Sequence, residues 1–176
     1  MADEHNKTLK ALEAAIRMEI DGKEFYLKAS QASNNELGKK LLAKLADEED
    51  IHRQVFEGIY KHISTEKGWP DNGLHADSSS GLKTIFSTAI EKMGTDVKSM
   101  PEEIDAVKTA MEMENKTYDF YNEQLAKARY DAEKKFYKEL AAQEKEHHRV
   151  LLDYYEFLKD PAAWFVLKEH PSIDGG

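Results

Sequence analysis

The spacing of apolar residues predicts four long helices. From about Glu36 to Glu66, Leu42, Leu45, Glu49, His52, Phe56, Ile59 and Ile63 alternate spacings of three and four, which makes one stripe down a helix. From about Asp131 to Lys159, Tyr137, Leu140, Glu144, His147, Leu151, Tyr154 and Leu158 do the same. Between about Lys7 and Ala32, Leu12, Ile16, Glu19 and Tyr26 share a face. Between Pro101 and about Lys127, Val107, Met111, Glu114, Tyr118, Tyr121 and Leu125 do so too. The breaks have local causes. Ser33-Asn34-Asn35 is a polar turn cluster, and Gly68, Pro70, Asn72 and Gly73 end the second stretch. Pro101 with Glu102 and Glu103 suits a first helical turn, and Pro161 stops the fourth helix.

Tight turns make helices one and two, and helices three and four, antiparallel hairpins. Some 35 residues separate the hairpins, Glu66 to Pro101, with a short helix expected from about Ser80 to Met93. Two hairpins joined by one long crossover give an all-α, ferritin-like four-helix bundle. Residues 1–160 are expected to form this bundle. Residues 161–176 are expected to be a C-terminal tail, with Trp164 and Phe165 covering one end of the bundle or a neighbouring subunit.

The hairpins repeat one another. At an offset of 95 residues, 11–60 against 106–155 give 14 identities without a gap. Among them are Glu19/Glu114, Phe25-Tyr26/Phe120-Tyr121, Glu49/Glu144 and His52/His147. Height along the bundle agrees with this register. Glu19 and Glu49 each lie 15 residues from the turn at Asn34, and Glu114 and Glu144 each lie 15 from Arg129. At about 1.5 Å per residue all four stand roughly 22 Å from their turns, in one layer. Four carboxylates and two imidazoles thus occupy stripe positions where a bundle expects leucine. Buried carboxylates cost several kcal/mol each or lose their charge, and four together repel. Two divalent cations remove both problems. The register and the three-residue spacing favour His147 over its neighbour His148, which also lies one turn from Glu144. Asp47, Glu48, Asp50 and Glu146 fall off the stripe and read as solvated charge, and His5, His62, His75 and His170 read as surface residues.

Composition narrows the chemistry. The chain has no cysteine, so any metal must sit on Glu, Asp and His, a set that suits iron, manganese or zinc. A net charge of −9 argues against nucleic acid as a partner. Mean hydropathy is −0.72, and no apolar run approaches the roughly 20 residues of a membrane span. The first residues lack a basic-then-apolar pattern, so no signal peptide is expected and the cytoplasm is the expected location.

The paired elements Glu49-Asp50-Ile51-His52 and Glu144-Lys145-Glu146-His147, each with a Glu 30 residues upstream, resemble the ferritin-like di-iron carboxylate proteins. Met-Glu-Ile-Asp-Gly-Lys-Glu-Phe-Tyr, Met-Glu-Asn-Lys-Thr-Tyr-Asp-Phe-Tyr and Leu-Ala-Asp-Glu-Glu-Asp-Ile-His are similar to the rubrerythrin branch. The resemblance implies that Glu49 and Glu144 bridge two iron ions, with Glu19 and His52 completing one site and Glu114 and His147 the other. It implies that Tyr26 and Tyr121 donate hydrogen bonds to the carboxylates. It further implies an oxidoreductase reacting with O2 or hydrogen peroxide in oxidative stress or iron handling, with Glu19, Glu49, Glu114 and Glu144 at the reacting centre. Iron sequestration with ferroxidase activity is the alternative, followed by a non-redox bundle holding manganese or zinc. A homodimer is expected. Two departures matter. The rubredoxin-like module that holds iron on four cysteines is missing, so an external electron donor such as a rubredoxin-like protein is expected. Thr117 also stands where rubrerythrins carry an extra Glu tied to peroxide reduction, which favours a plain six-ligand oxidase centre.

Overall fold

A computed structural model of the chain describes residues 2–65, 68–70, 82, 88 and 100–169. Among them every regular element is a helix: α1 (Ala2–Ala32), α2 (Glu36–Thr65), α3 (Pro101–Lys127), α4 (Asp131–Lys159) and α5 (Pro161–Glu169). α1 packs along α2 and α3 along α4, and α1 against α3 joins the two hairpins. This is the ferritin-like bundle. No described helix is long and apolar enough to cross a membrane.

Helix ends follow from local chemistry. α1 starts at Ala2, not near Lys7. Its acidic first turn suits a helix N-terminus, and Glu4 forms a bidentate pair with Arg129 in the turn of the other hairpin. At the start of α2, the Asn35 side-chain oxygen accepts the Gly38 amide at 2.7 Å, as an N-cap does. Ahead of α4, Glu133 reaches back to the backbone N–H of Arg129 at 2.9 Å. Pro161 ends α4 but opens another helix where a tail was expected. Asp160 Oδ1 accepts the Ala163 amide at 2.9 Å, and proline suits the first helical position. α5 then lays Trp164 and Phe165 edge-on against Phe157, with ring centroids 5.8 and 6.2 Å away. The short helix expected from Ser80 to Met93 lies outside the described residues, apart from helical Leu82 and Thr88. His75 and His170 also lie outside them.

The core is two apolar clusters with a polar layer between them. One, around Leu41, Leu45, Val107, Leu151 and Phe157, fills the end nearer the α1–α2 turn. The other, around Leu12, Phe56, Ile59, Tyr137 and Leu140, fills the opposite end. A buried clasp ties the α1–α2 turn to the second hairpin. Glu103 Oε1 accepts from Ser33 Oγ at 2.5 Å, Tyr154 OH at 2.6 Å and Asn35 Nδ2 at 3.1 Å. Gly38 sits so close that a Cβ there would collide with Ser33 Oγ, the Tyr154 hydroxyl and Glu103 Oε1. Gly38→Ala is therefore expected to cost about 1–3 kcal/mol in urea unfolding, as overpacking does. A loss below about 0.5 kcal/mol would show that the clasp yields freely.

Candidate metal centre

Glu19 on α1, Glu49 and His52 on α2, Glu114 on α3, and Glu144 and His147 on α4 meet in the polar layer, each less than 5% exposed. The stripe positions of α2 and α4 are all buried, which is why one Glu and one His per helix, a turn apart, point inward together. Their ligand-type atoms form two overlapping groups, each with all atoms within 4.8 Å of one another. Glu19, Glu49, His52 and Glu144 make one; Glu49, Glu114, Glu144 and His147 make the other. Glu49 and Glu144 belong to both. Glu144 lies between the imidazoles, with Oε1 3.3 Å from His52 Nδ1 and Oε2 3.6 Å from His147 Nδ1. The rings stack with centroids 5.8 Å apart and planes at 14°. His148 is half-buried and belongs to neither group.

Around these atoms each side chain is held from outside. The Tyr26 hydroxyl donates to Glu114, and the Tyr121 hydroxyl to Glu19. Both bonds cross from one hairpin to the other. Burial first, and the carboxylates of Glu114 and Glu49 next, raise the Tyr26 phenol well above its ordinary range, so it stays a donor. His52 Nε2 lies 2.8 Å from Gln143 Oε1, and His147 Nε2 lies 2.8 Å from Glu48 Oε2. Both partner atoms can only accept, so the proton sits on Nε2 and Nδ1 faces the cluster. When a ring gives up its second proton, the Nδ1 lone pair lies where a cation could take it.

Electrostatics shows how the metal-free chain tolerates the cluster. Burial, then the Glu49 charge, raises Glu19 well above the usual carboxylate range. Burial, then the Glu144 charge, does the same to Glu114. Burial disfavours protonated imidazole. At His52 it is outweighed by the Glu19 charge and by the Glu144 carboxylate, 3.4 and 3.3 Å from Nδ1, so that group is raised well above the ordinary histidine range. At His147 the Glu114 charge, the nearby Glu144 carboxylate and the Glu48 carboxylate bonded at Nε2 outweigh it likewise. Burial would raise Glu144 too, but the imidazoles of His147 and His52 facing its two oxygens hold it below the usual range.

The residues pass a direct test of fit to a metal pair. Glu19 Oε2, Glu49 Oε1, Glu114 Oε2, both oxygens of Glu144 and Nδ1 of each histidine are buried with no hydrogen-bond partner among the described residues. Buried polar atoms are rarely left so. Here one such atom or more on each of six side chains faces the same small volume, and hard oxygens with imidazole nitrogens are donors that a divalent transition metal accepts.

The family model for rubrerythrin matches residues 10–155. The chain belongs to the rubrerythrin family. Comparisons with curated proteins and with solved structures return no match. Rubrerythrin-family proteins bind di-iron centres and serve in oxidative stress, and the buried Glu/His cluster fits such a centre.

Two side chains of this rubrerythrin-family site escape a reading of the sequence stripes. Glu48, expected to be solvated, is fully buried, because it lies one residue from the stripe on the flank facing α4. Gln143 does not stand out in the sequence at all. A signal exists: the two are repeat partners at the 95-residue offset, each directly before the Glu of a Glu-x-x-His element. Asp47 is exposed and Asp50 and Glu146 are half-buried, with Asp50 paired to Lys23 at 2.8 Å.

One backbone feature also serves the site. A Cβ at Gly22, one turn after Glu19, would stand 2.9 Å from Glu49 Oε2. Gly22→Ala is expected to displace Glu49 and weaken divalent-metal binding on the order of tenfold, with helicity unchanged. Calorimetric titration of the apo-protein checks this, and an unaltered affinity would show that Glu49 has room to move.

Proposed function

We propose that this chain is a di-iron oxidoreductase that reacts with O2 or hydrogen peroxide. The convergence of partnerless donor atoms from six buried side chains in a rubrerythrin-family bundle carries the reading. In it, Glu49 and Glu144 would be shared by both ions, Glu19 and His52 would complete one position, and Glu114 and His147 would complete the other. When bound, two ferrous ions supply two electrons, enough with two protons to take O2 to hydrogen peroxide or hydrogen peroxide to two waters. The side chains do the rest. Tyr26 and Tyr121 fix the terminal carboxylates, the Nε2–H bonds fix the rings, and the apolar clusters on either side keep water out. Thr117 carries no carboxylate, and its hydroxyl is turned back to the Met113 carbonyl at 3.1 Å. That favours O2 over peroxide as the faster oxidant. With no cysteine for an iron centre of its own, the chain takes electrons from an external donor such as a rubredoxin-like protein.

The test is anaerobic loading with ferrous iron, followed by O2 and hydrogen peroxide in parallel, watched by absorbance. The expected result is two irons per chain and rapid oxidation by at least one oxidant. A loaded protein that stays colourless and consumes neither overturns the proposal. Many irons per chain would point to storage.

A further inference from the structure

We infer that Glu48 makes the two metal positions unequal, so that the position served by His147 binds its ion more tightly and fills first. The inference rests on the metal-centre reading above and concerns residues outside the six.

The site is close to two-fold symmetric in almost every contact. Each histidine sits a turn beyond a shared Glu, and each terminal Glu is held by a tyrosine from the opposite hairpin. The symmetry breaks behind the imidazoles. His147 Nε2–H donates to the Glu48 carboxylate, whereas His52 Nε2–H donates to the neutral Gln143 amide, both at 2.8 Å. As Nδ1 gives its lone pair to a cation, positive charge builds on the ring. A carboxylate at the far nitrogen stabilises that charge and makes the ring the stronger donor, and an amide does so far less.

A second pair of positions supports the same asymmetry. Glu48 is fully buried, and a buried charge persists only with a partner. Besides His147 it has Lys44, one turn earlier on α2, with Nζ 3.6 Å from Glu48 Oε1. The repeat partner of Lys44 is Glu139, one turn before Gln143. Glu139 pairs with Lys135 at 3.8 Å, so a cation stands one turn before Glu48 and an acidic side chain one turn before Gln143.

The experiment titrates Co2+ into apo-protein, followed by calorimetry and visible absorption. Because the ions share Glu49 and Glu144, some stepwise filling is expected in any case, so variants decide. Glu48→Gln copies the other half of the site with an isosteric side chain. It is expected to weaken the first step by about 10–100-fold and bring the two steps together. His147→Ala should abolish the tight step, whereas His52→Ala should keep it. Glu139→Lys with Gln143→Glu should strengthen the weaker step, and far-UV circular dichroism checks that each variant folds. If Glu48→Gln binds two Co2+ with both constants unchanged, or His147→Ala keeps the tight step, this inference falls and the metal centre stands. A folded wild-type chain that binds no Co2+ overturns both.

Discussion

Replacing Glu144 with alanine is expected to take the chain from two tightly bound divalent ions to one or none. Glu144 offers one oxygen toward each imidazole and belongs to both ligand groups, and neither oxygen has another partner among the described residues. Truncation removes a donor from each position and leaves the facing imidazoles without their common anion. Metal analysis after exhaustive dialysis reads the result directly. Glu146→Ala, two residues away and outside both groups, should retain both ions. A Glu144→Ala protein that still holds two would show that Glu144 does not bridge them. The same substitution is expected to destabilise the metal-free chain, because it leaves two buried imidazoles without their counter-ion, and far-UV circular dichroism checks that the variant still folds.

Metal loading is expected to reverse the way stability depends on pH. In the metal-free chain Glu19 and Glu114 hold protons well above the ordinary carboxyl value of 4.5, and His52 and His147 well above the ordinary imidazole value of 6.5. The folded state therefore binds more protons at these four groups than the unfolded state, and stability falls as pH rises. The loss begins above 4.5 through the carboxylates and continues above 6.5 through the histidines. Glu144, held below the usual range, acts oppositely, but its contribution is lost only as pH falls below 4.5. A cation competes with those protons and so binds better as pH rises. The gap in melting temperature between loaded and metal-free protein should widen from about pH 5.5 to about pH 8.5. At free metal a thousandfold above Kd the gain is about 4 kcal/mol. Binding should also release protons from this cluster, in which Glu19, Glu114, His52 and His147 all hold them more tightly than usual. A gap that narrows with pH, or binding without proton release, would show that the cluster is not held by these protons.

The bundle was legible because its stripes are long and its breaks are strong. Every residue of the α2 and α4 stripes is buried, and the 95-residue repeat pairs the two Glu-x-x-His elements that the fold brings together. The misreadings lie where one residue answers to two influences. Pro161 does break α4, but Asp160 before it supplies a cap, so a new helix begins there. Glu48 looks solvated on a strict three-four stripe, yet the buried face of a helix packed on several neighbours is wider than one row. Its burial depends on His147 and Lys44, one of them 99 residues away in the chain. The Glu103 clasp is hidden in the sequence for a similar reason. Ser33, Asn35 and Glu103 each look like ordinary turn or first-turn residues, and only docking of the hairpins brings them to Tyr154.

The crossed hydrogen bonds have a consequence for how such a centre can diverge. Tyr26 and Glu48 of the first hairpin serve Glu114 and His147 of the second, while Tyr121 and Gln143 of the second serve Glu19 and His52 of the first. Neither hairpin alone carries a finished half-site. Two copies of a single hairpin, paired about a two-fold axis, would build the same crossed contacts, but one gene would then place the same side chain behind both rings. Joining the halves in one chain removes that constraint. Each ring's outer partner can then mutate independently, and the bridging carboxylates need not change for the two ions to become different.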